Sequence, residues 1–488
     1  MNYETIIGLE VHAQLSTKSK MFWHCSADYA NASPNTHVCP ICLGMPGVLP
    51  TINQQAVEYT VMTALALNCT ISNYTKFDRK NYPYPDLMKG YQISQSDAPI
   101  GHHGWLTIEV NGQKKRVDIA NVHLEEDVAK LIHHTSPDGE SYSLVDVNRS
   151  GVPLMEIVGE PDLRSPEEAR QYLIELHSIL QYLGVSTANM EEGSFRCDAN
   201  ISIRPENSSD SLAKVEVKNM NSFKAVYRAL EYEAKRQRKA AAEGRRLTQE
   251  TRGWVEEGKT VSQRSKEYAH DYRYFPEPDL PPLVLSQEWV EEIRLKLPEL
   301  PEARRSRFVA EYNLPLYDAN LLTSSKAMAD YFEDCLKTGA LQSLSLAKGA
   351  KTVSNWLLGE FSRLLNATNS EISDSRVSPE QLCQLLDLIQ KGSISGTSAK
   401  LVFEEMFNTG KHATDIITQR GVSQISDTQE VKEVVGQVIQ ANAQAVADYK
   451  AGKTQSLKFL VGQVMKATGG RANPKLVNEL LEKGLKEG

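Results

Sequence analysis

Several common sequence features are missing from this 488-residue chain. No uninterrupted apolar run approaches the roughly 20 residues that cross a membrane. The start of the chain lacks the basic-then-apolar order of a signal peptide. There is no internal repeat and no low-complexity tract. We therefore expect a cytoplasmic or organelle-matrix protein with no membrane contact.

Cysteine is scarce as well, with seven residues, an odd number that is too low for a disulfide scaffold. Three of them, Cys25, Cys39 and Cys42, are close in sequence, and Cys-Pro-Ile-Cys is a tight knuckle of the kind that binds zinc. His24 or His37 would supply a fourth ligand, although His24 adjoins Cys25 and needs a strained approach. The sequence predicts either a structural zinc site or a knuckle of free thiols.

Charge is unevenly distributed along the chain. The net charge is −8, which argues against a nucleic-acid binder. From Lys411 to the end, however, eleven Lys and Arg stand against eight Asp and Glu, and residues 450–478 contain six basic residues and no acidic one. A basic tail on an acidic body indicates that one end of the molecule meets a polyanion.

The hydrophobic pattern changes twice along the chain. Short alternating strands dominate to about residue 290, with a hairpin turn at Asn111-Gly112. One helix among them begins at Ser165, with Glu168 closing a capping box, and ends at Gly184. After a Pro-rich segment at 275–282 the period becomes 3.6, with a further break near 408–410. The pattern predicts an α+β protein: a mainly antiparallel sheet with helices in 1–292, an all-α domain in 293–408 and a small all-α tail in 409–488.

Polar residues alternate along several of the predicted strands. Glu10 and His12 share a strand face in "IGLEVH", as His123 and Glu125 do further along. A sheet with one solvated side explains any single strand of this kind. Together the strands offer carboxylate, carbonyl and imidazole groups, which suit Mg²⁺ or Mn²⁺. The cations that a polyphosphate would need beside such a metal are Arg79, Lys80, Arg149, Arg196, Arg204 and Lys218.

Long motifs then point to one family. They are "IGLEVH", "KFDRKNYPYPDLMKGYQISQ", "HLEED", "DVNRSGVPLMEIVGEPD", "MEEGSFRCDANIS", "EVKNMNSF" and "DYRYFPEPDLPPL". In this order they resemble the B subunit of the aspartyl/glutamyl-tRNA(Asn/Gln) amidotransferase, and the resemblance extends to the tail from "YKAGKTQ" onward. It implies a cradle fold for the first domain and a tail that binds tRNA.

The resemblance also implies an activity and partners. The B subunit would use ATP and Mg²⁺ to phosphorylate the side-chain carboxylate of Glu or Asp on a misacylated tRNA. Ammonia from a glutaminase A subunit would then displace phosphate, with a small C subunit completing a heterotrimer. The Gly/Ser-rich amidase stretch is missing here, so the release of ammonia should lie on another chain. The alternative is a non-catalytic tRNA-binding scaffold whose polar residues only brace the sheet.

Site residues follow from the same resemblance. It implies Glu10, His12 and Glu125 as the catalytic, inner metal-binding set, with Asp198, Asn200 and Glu156 as further ligands. It implies a substrate loop with Tyr82, Tyr84 and Lys89. Many relatives have Cys-x-Cys where this chain has Trp23-His24-Cys25, which leaves His24 as the proposed fourth zinc ligand. The candidates for contacts with tRNA phosphates are Lys453, Lys458, Lys466, Arg471 and Lys475.

Overall fold

A computed structural model of the chain describes residues 2–206, 208, 212–265, 271–339, 341, 344–421, 428–450, 453, 455–468, 472 and 474–487. Side chains are described for all of these except 264–265, 428–430, 474–475 and 486–487. Contacts divide the chain into two units, residues 1–300 and residues 301–488.

The first unit is built on β-strands. They are β1 (Tyr3–Gln14), β2 (Thr70–Ile71), β3 (Tyr74–Thr75), β4 (Asp78–Asn81), β5 (Tyr91–Ser94), β6 (Gly101–Val110), β7 (Gln113–Glu126), β8 (Lys130–Thr135), β9 (Ser141–Asp146), β10 (Pro153–Gly159), β11 (Phe195–Pro205), β12 (Val215–Lys218), β13 (Glu250–Val255), β14 (Lys259–Ser265), β15 (Phe275–Pro276) and β16 (Leu283–Val284). The main sheet has the order β14-β13-β12-β11-β1-β10-β7-β6-β2. Its neighbours are antiparallel except β12 and β13, which are parallel, so the predicted mainly antiparallel sheet is confirmed.

In the described part of the chain, three smaller sheets accompany the main one. Strand β4 lies between β15 and β5, β16 pairs with β3, and β8 pairs with β9 as a hairpin. The pairing of β15 with β4 joins parts of the chain almost 200 residues apart, because Phe275 lies opposite Arg79. This contact brings the motif "DYRYFPEPD" to the loop "DRKNYPYPD".

Helices cover one face of the main sheet. They are α1 (Gln54–Ala66), α2 (Pro166–Leu183), α3 (Phe223–Ala242) and α4 (Gln287–Leu295). The alternation of β1 turns Ile7, Leu9 and Val11 into the core that these helices share. The residues between them, Glu10 and His12 included, face the opposite side of the sheet. Burial of one face therefore fixes which side of the sheet is polar.

Two local predictions are confirmed, one of them with a difference. Asn111 and Gly112 have φ of 53° and 76°, as a two-residue hairpin between β6 and β7 requires. Helix α2 begins after Ser165, whose hydroxyl accepts from the Glu168 backbone N–H, and ends at Gly184 in the left-handed region. The predicted capping box does not close on Ser165, because the Glu168 carboxylate accepts instead from the Arg164 N–H, at 2.7 Å.

The second unit is helical. Its helices are α5 (Pro301–Tyr312), α6 (Leu316–Thr323), α7 (Lys326–Lys337), α8 (Leu346–Trp356), α9 (Ser362–Thr368), α10 (Pro379–Gln390), α11 (Gly396–Thr409), α12 (Ala413–Arg420), α13 (Thr428–Ala441), α14 (Ala443–Lys450), α15 (Gln455–Ala467) and α16 (Pro474–Glu487). A π-helical turn at 357–361 joins α8 to α9, and short 3-10 turns lie at 147–149 and 372–374. The predicted change from a sheet-rich to a helical part is confirmed.

The described residues of the second unit form two hydrophobic cores. One is built from residues between Phe308 and Ile416, and the other from residues between Val431 and Leu485. The predicted domain boundaries at 292/293 and 408/409 stay predictions. Helix α4 extends across the first boundary. Helix α12, which follows the second boundary, packs through Ile416 on the core that begins at Phe308. In the part of the chain that the structure describes, no helix is long and apolar enough to cross a bilayer.

Candidate metal and phosphate site

The register of three central strands collects polar side chains on the open face of the sheet. His12 of β1 lies opposite Glu156 of β10, and Glu156 in turn lies opposite His123 of β7. Directly opposed residues project to the same face with closely spaced side chains. The three side chains therefore form a row across the sheet, on the face that α1, α2 and α3 leave uncovered.

The three side chains of this row and that of Glu125 lie close together. His12 Nε2 is 3.6 Å from Glu156 Oε2 and 3.7 Å from Glu125 Oε1, and His123 Nε2 is 3.2 Å from Glu156 Oε2. One ligand atom each from His12, Glu125 and Glu156 falls within 4.8 Å of the others. We call these three residues the inner group. Its two carboxylates and one imidazole form a donor set that fits a divalent cation.

The charges of the inner group depend on one another. Burial alone lowers the pKa of His12, but its hydrogen bond to Glu156 and the charges of Glu156 and Glu125 outweigh burial and raise the pKa to about 8. Burial works against the charge of Glu156 too, yet His12 and His123 hold its pKa well below the ordinary value. The two carboxylates are thus paired with the protonated imidazole of His12, and a bound metal ion would supply that positive charge instead, with His12 as a neutral ligand.

Three predicted ligands lie beside the inner group instead of within it. Glu10 accepts a hydrogen bond from Asn200 Nδ2 at 2.8 Å, while Asp198 accepts from Lys218 Nζ at 2.5 Å. Burial and the nearby charge of Glu156 raise the pKa of Glu10. The sequence predicted Glu10 in the inner set and Glu156 as a further ligand. In the structure Glu156 lies with His12 and Glu125, and Glu10 lies beside them.

Five of the six predicted phosphate-binding cations have carboxylate partners of their own. These pairs are Arg79 with Glu277 (2.7 Å), Arg149 with Asp127 (3.7 Å), Arg196 with Asp127 (3.1 Å), Arg204 with Glu4 (2.6 Å) and Lys218 with Asp198 (2.5 Å). Arg204 is also remote, since it lies eight residues along β11 from the partner of His12, or about 27 Å at 3.4 Å per residue. The ion pair of Arg204 therefore connects structural elements away from the inner group, and that of Arg79 connects β4 to the segment after β15.

Lys80 is the exception. Among the described residues it has no ion pair, and its Nζ lies 5.0 Å from the centre of the Tyr272 ring. Burial lowers the pKa of Lys80, but the charges of Glu125 and Glu156 contribute to raising it above the ordinary value. Lys80 is therefore the predicted phosphate-binding cation that keeps no carboxylate partner among the described residues.

The three residues of the predicted substrate loop have different surroundings. The Tyr82 hydroxyl donates a long hydrogen bond of 3.4 Å to Gln92 Oε1, and its ring meets the Tyr272 ring edge-on. Tyr84 is 56% exposed. Lys89 binds Glu126 at 2.5 Å and lies over the Trp23 ring, so its contacts hold the loop to the core.

The cysteine knuckle forms as the sequence predicts, without His24. Cys42 Sγ lies 3.6 Å from Cys25 Sγ and 3.8 Å from Cys39 Sγ, and these three thiols form a second group of potential ligands. His24 is exposed, and both His24 and His37 lie outside this group. His37 Nδ1 is buried and has no hydrogen-bond partner among the described residues.

The basic tail is described in part. Lys453, Lys458 and Lys466 are exposed, and Lys453 pairs with Asp448 at 3.1 Å. Arg471 and the side chain of Lys475 lie outside the described residues. The predicted apolar positions Leu460 and Val464 are buried in the small core, whereas Phe459 is 50% exposed.

Sequence reasoning missed Tyr272, Tyr274 and Asp127. Tyr272 and Tyr274 lie near Lys80 because β15 pairs with β4. Asp127 forms ion pairs with both Arg149 and Arg196. All three stand inside motifs that carried the family resemblance. The pairing of distant strands gave no local signal by which their positions could be inferred.

The fold and this geometry define a class of protein. The first unit is an open sheet on which carboxylates and imidazoles that could hold a divalent cation converge, and it is followed by a helical unit with a basic tail.

Comparison with known proteins makes the assignment specific. A family model described as the GatB/GatE catalytic domain matches residues 5–291, and one described as the GatB domain matches residues 330–485. Proteins that carry the name of the B subunit of the aspartyl/glutamyl-tRNA(Asn/Gln) amidotransferase are similar over nearly the whole length. Those of Dehalococcoides mccartyi (60% identical, covering 100% of this chain and 99% of the relative) and Carboxydothermus hydrogenoformans (54%, covering 98% of each) are examples. This chain belongs to the family of B subunits of that amidotransferase.

Proposed function

We propose that this chain activates the side-chain carboxylate of Glu-tRNA(Gln), Asp-tRNA(Asn) or both with ATP, within a tRNA-dependent amidotransferase. A carboxylate resists attack by ammonia because its leaving group would be oxide. Transfer of the γ-phosphoryl group to a carboxylate oxygen gives an acyl phosphate and ADP. Ammonia from the partner glutaminase A subunit then displaces phosphate and leaves the amide, with a small C subunit as the third partner.

The observation that carries the proposal is the inner group. Phosphoryl transfer needs positioning and charge neutralisation more than covalent chemistry. Mg²⁺ fits the inner group because hard oxygen donors and one imidazole converge there. A bound metal would neutralise charge on the phosphate oxygens. Around it, the chain itself supplies Lys80 as a cation and His123 as a group that orients Glu156 through their 3.2 Å contact.

Substitution of the inner group in the assembled complex tests the proposal. We expect His12→Ala and Glu125→Gln to abolish ATP-dependent amidation of Glu-tRNA while tRNA binding persists. His133→Ala on the exposed β8–β9 hairpin serves as the matched control. Normal amidation by the His12 and Glu125 variants would instead support the non-catalytic scaffold.

We also propose that the basic tail binds the phosphates of the tRNA. Exposed Lys453, Lys458 and Lys466 stand on a tail that has a core of its own, separate from the first unit. Contacts with phosphates position an RNA and carry little information about its bases. The tail would therefore set affinity, whereas the inner group would set the rate of chemistry.

For the knuckle we propose a structural zinc ion held by Cys25, Cys39 and Cys42. Three thiols meet there and carry the proposal, while neither His24 nor His37 places a ring nitrogen in that group. Metal analysis of the purified chain should find one zinc, lost in Cys42→Ser. A zinc-free protein whose thiols all titrate would support the free-thiol alternative.

A further inference from the structure

Lys20 is a buried lysine beside the cysteine knuckle, and no step of the proposed activity uses it. It is 0% exposed. Its ammonium nitrogen lies 2.9 Å from the His37 carbonyl oxygen, 3.4 Å from Cys42 Sγ and 3.5 Å from the Val147 carbonyl oxygen. An ammonium group has three N–H donors, so these three acceptors match its full donor capacity.

The charge of Lys20 lacks an ordinary partner. Among the described residues, no carboxylate contacts its ammonium, and two of its three acceptors are uncharged carbonyl oxygens. A buried ammonium costs free energy unless a negative group compensates it. The third acceptor, the Cys42 sulfur, carries a negative charge when cysteine binds a metal ion, because the bound thiol loses its proton. The contacts of Lys20 therefore favour a metal-bound thiolate at Cys42.

The spacing of the three knuckle sulfurs fits zinc as well. Cys42 Sγ lies 3.6 Å from Cys25 Sγ and 3.8 Å from Cys39 Sγ. Zinc binds thiolates at about 2.3 Å in tetrahedral geometry, which separates two of its sulfurs by about 3.8 Å. A zinc ion with three thiolates and a neutral fourth ligand has one net negative charge. The single positive charge of Lys20 cancels it.

Backbone contacts fix Lys20 against the knuckle. Ser19 and Ser26 form an antiparallel bridge that closes the segment between them. Within this segment the Lys20 N–H donates to the Cys25 carbonyl at 3.0 Å. Asn53 Nδ2 donates to the Lys20 carbonyl at 3.2 Å. These contacts hold the start of the side chain at the place from which its ammonium reaches the sulfurs.

We propose that Lys20 is a positioning residue of the zinc centre, whose ammonium donates a hydrogen bond to the Cys42 thiolate and cancels the net charge of the centre. This inference rests on the zinc site proposed above. Hydrogen bonds between charged groups are stronger than those between neutral ones. The contacts with the His37 and Val147 carbonyls orient the ammonium toward the sulfur.

Removal of the charge from the full chain tests the proposal. Lys20→Met keeps an unbranched side chain but has neither charge nor donor. We expect it to lower the affinity for zinc by about 10- to 100-fold, as is typical when a group that supports a metal ligand is lost. Competition with a chelator of known affinity, at one fixed pH, measures this change. Lys18→Met, at an exposed position two residues earlier, is the matched control and should leave the affinity unchanged.

Two further measurements separate this role from a structural one. With Co²⁺ in place of zinc, the sulfur-to-cobalt charge-transfer band should move to lower energy in Lys20→Met. The reason is that a hydrogen bond and a nearby positive charge lower the energy of the thiolate electrons. At equal free zinc, the metal should also raise the free energy of unfolding by less in Lys20→Met than in wild type. An unchanged band or an equal effect of zinc would overturn the proposal, since Lys20 would then support only the two carbonyls.

A second variant covers the case in which Lys20→Met does not fold. The amide of Lys20→Gln keeps N–H donors for the carbonyls and has no charge. We expect the same loss of zinc affinity and the same displacement of the cobalt band. Wild-type affinity in Lys20→Gln would overturn the proposal.

The outcome is distinguishable from a failure of the zinc site itself. If the wild-type chain binds no zinc, the zinc site is wrong and the role of Lys20 is wrong with it. If wild type binds one zinc and Lys20→Met binds it as tightly, only the role of Lys20 is wrong.

Discussion

The two units of the chain use charge in different ways. In the first unit, Glu125 and Asp127 are almost fully buried and paired with His12 and Arg196 of other strands. The fully buried Glu233 of α3 meets Arg252 of β13 as well as Arg236 of its own helix. In the helical unit, several pairs lie one turn apart on an exposed helix surface, as Lys337 does with Asp334. A buried charge costs free energy unless it is paired, so a protein keeps it where it has a use. We therefore expect the largest effects of substitution at the sheet.

The largest effect on kcat is expected at Glu156. The structure places Glu156 in the inner group, whereas the sequence predicted Glu10 there. Glu156→Gln should lower kcat of amidation by more than about 100-fold, whereas Glu10→Gln should lower it by about 10- to 100-fold, as is typical of residues that support a metal ligand. The reason is that Glu156, and not Glu10, lies within the inner group. Steady-state kinetics of the complex with varied Mg²⁺ checks this order, and a larger loss in Glu10→Gln would restore the ranking from sequence.

An intermediate effect should separate buried from exposed pairs. Glu233 is fully buried and binds Arg236 and Thr260, and Glu233→Gln should lower the free energy of unfolding by about 2 kcal/mol at pH 7. Burial opposes the charge of Glu233, but Arg236, Gln237 and Thr260 hold its pKa below 4.5. The stabilising contribution is therefore complete above pH 4.5 and disappears as the pH falls through the lowered pKa.

Urea unfolding of wild type and variant at a series of pH values checks this expectation. The matched control is Glu360→Gln in the helical unit, which removes contacts with Arg363 and Lys400 at the surface. Its effect should be much smaller, because exposed pairs are screened by solvent. Equal effects at the two sites would remove the distinction between the units.

The smallest effect on chemistry is expected in the tail. Lys458→Ala combined with Lys466→Ala should weaken tRNA binding. The slope of log K against log salt concentration should become shallower, because two phosphate contacts are lost and each contributes roughly 0.9 or less to that slope. At saturating Glu-tRNA, kcat should be unchanged. Binding measured across a range of salt concentrations checks this, with Lys391→Ala in the helical unit as control. An unchanged salt slope would place the tRNA elsewhere.

Much of the local structure was predictable. The ends of α2 at Ser165 and Gly184, the turn at Asn111-Gly112 and the capping box at Ser378 all follow from residues a few positions apart. The presence of His12 and Glu125 in one site followed from strand alternation and the family resemblance. The cation partners were not predictable, since Arg79 meets Glu277 and Arg204 meets Glu4 across about 200 residues of chain.

The amino-acid order by itself determined which residues share a strand face and where helices begin and end, because those patterns repeat over two to four residues. Tertiary structure decided which strands became neighbours, and so it placed Glu156 beside His12, and Tyr272 beside Lys80. Register between distant strands depends on the burial of a whole face, a non-local quantity that no short stretch of sequence contains. The inner group and the contact of Lys80 with Tyr272 both depend on the pairing of distant strands.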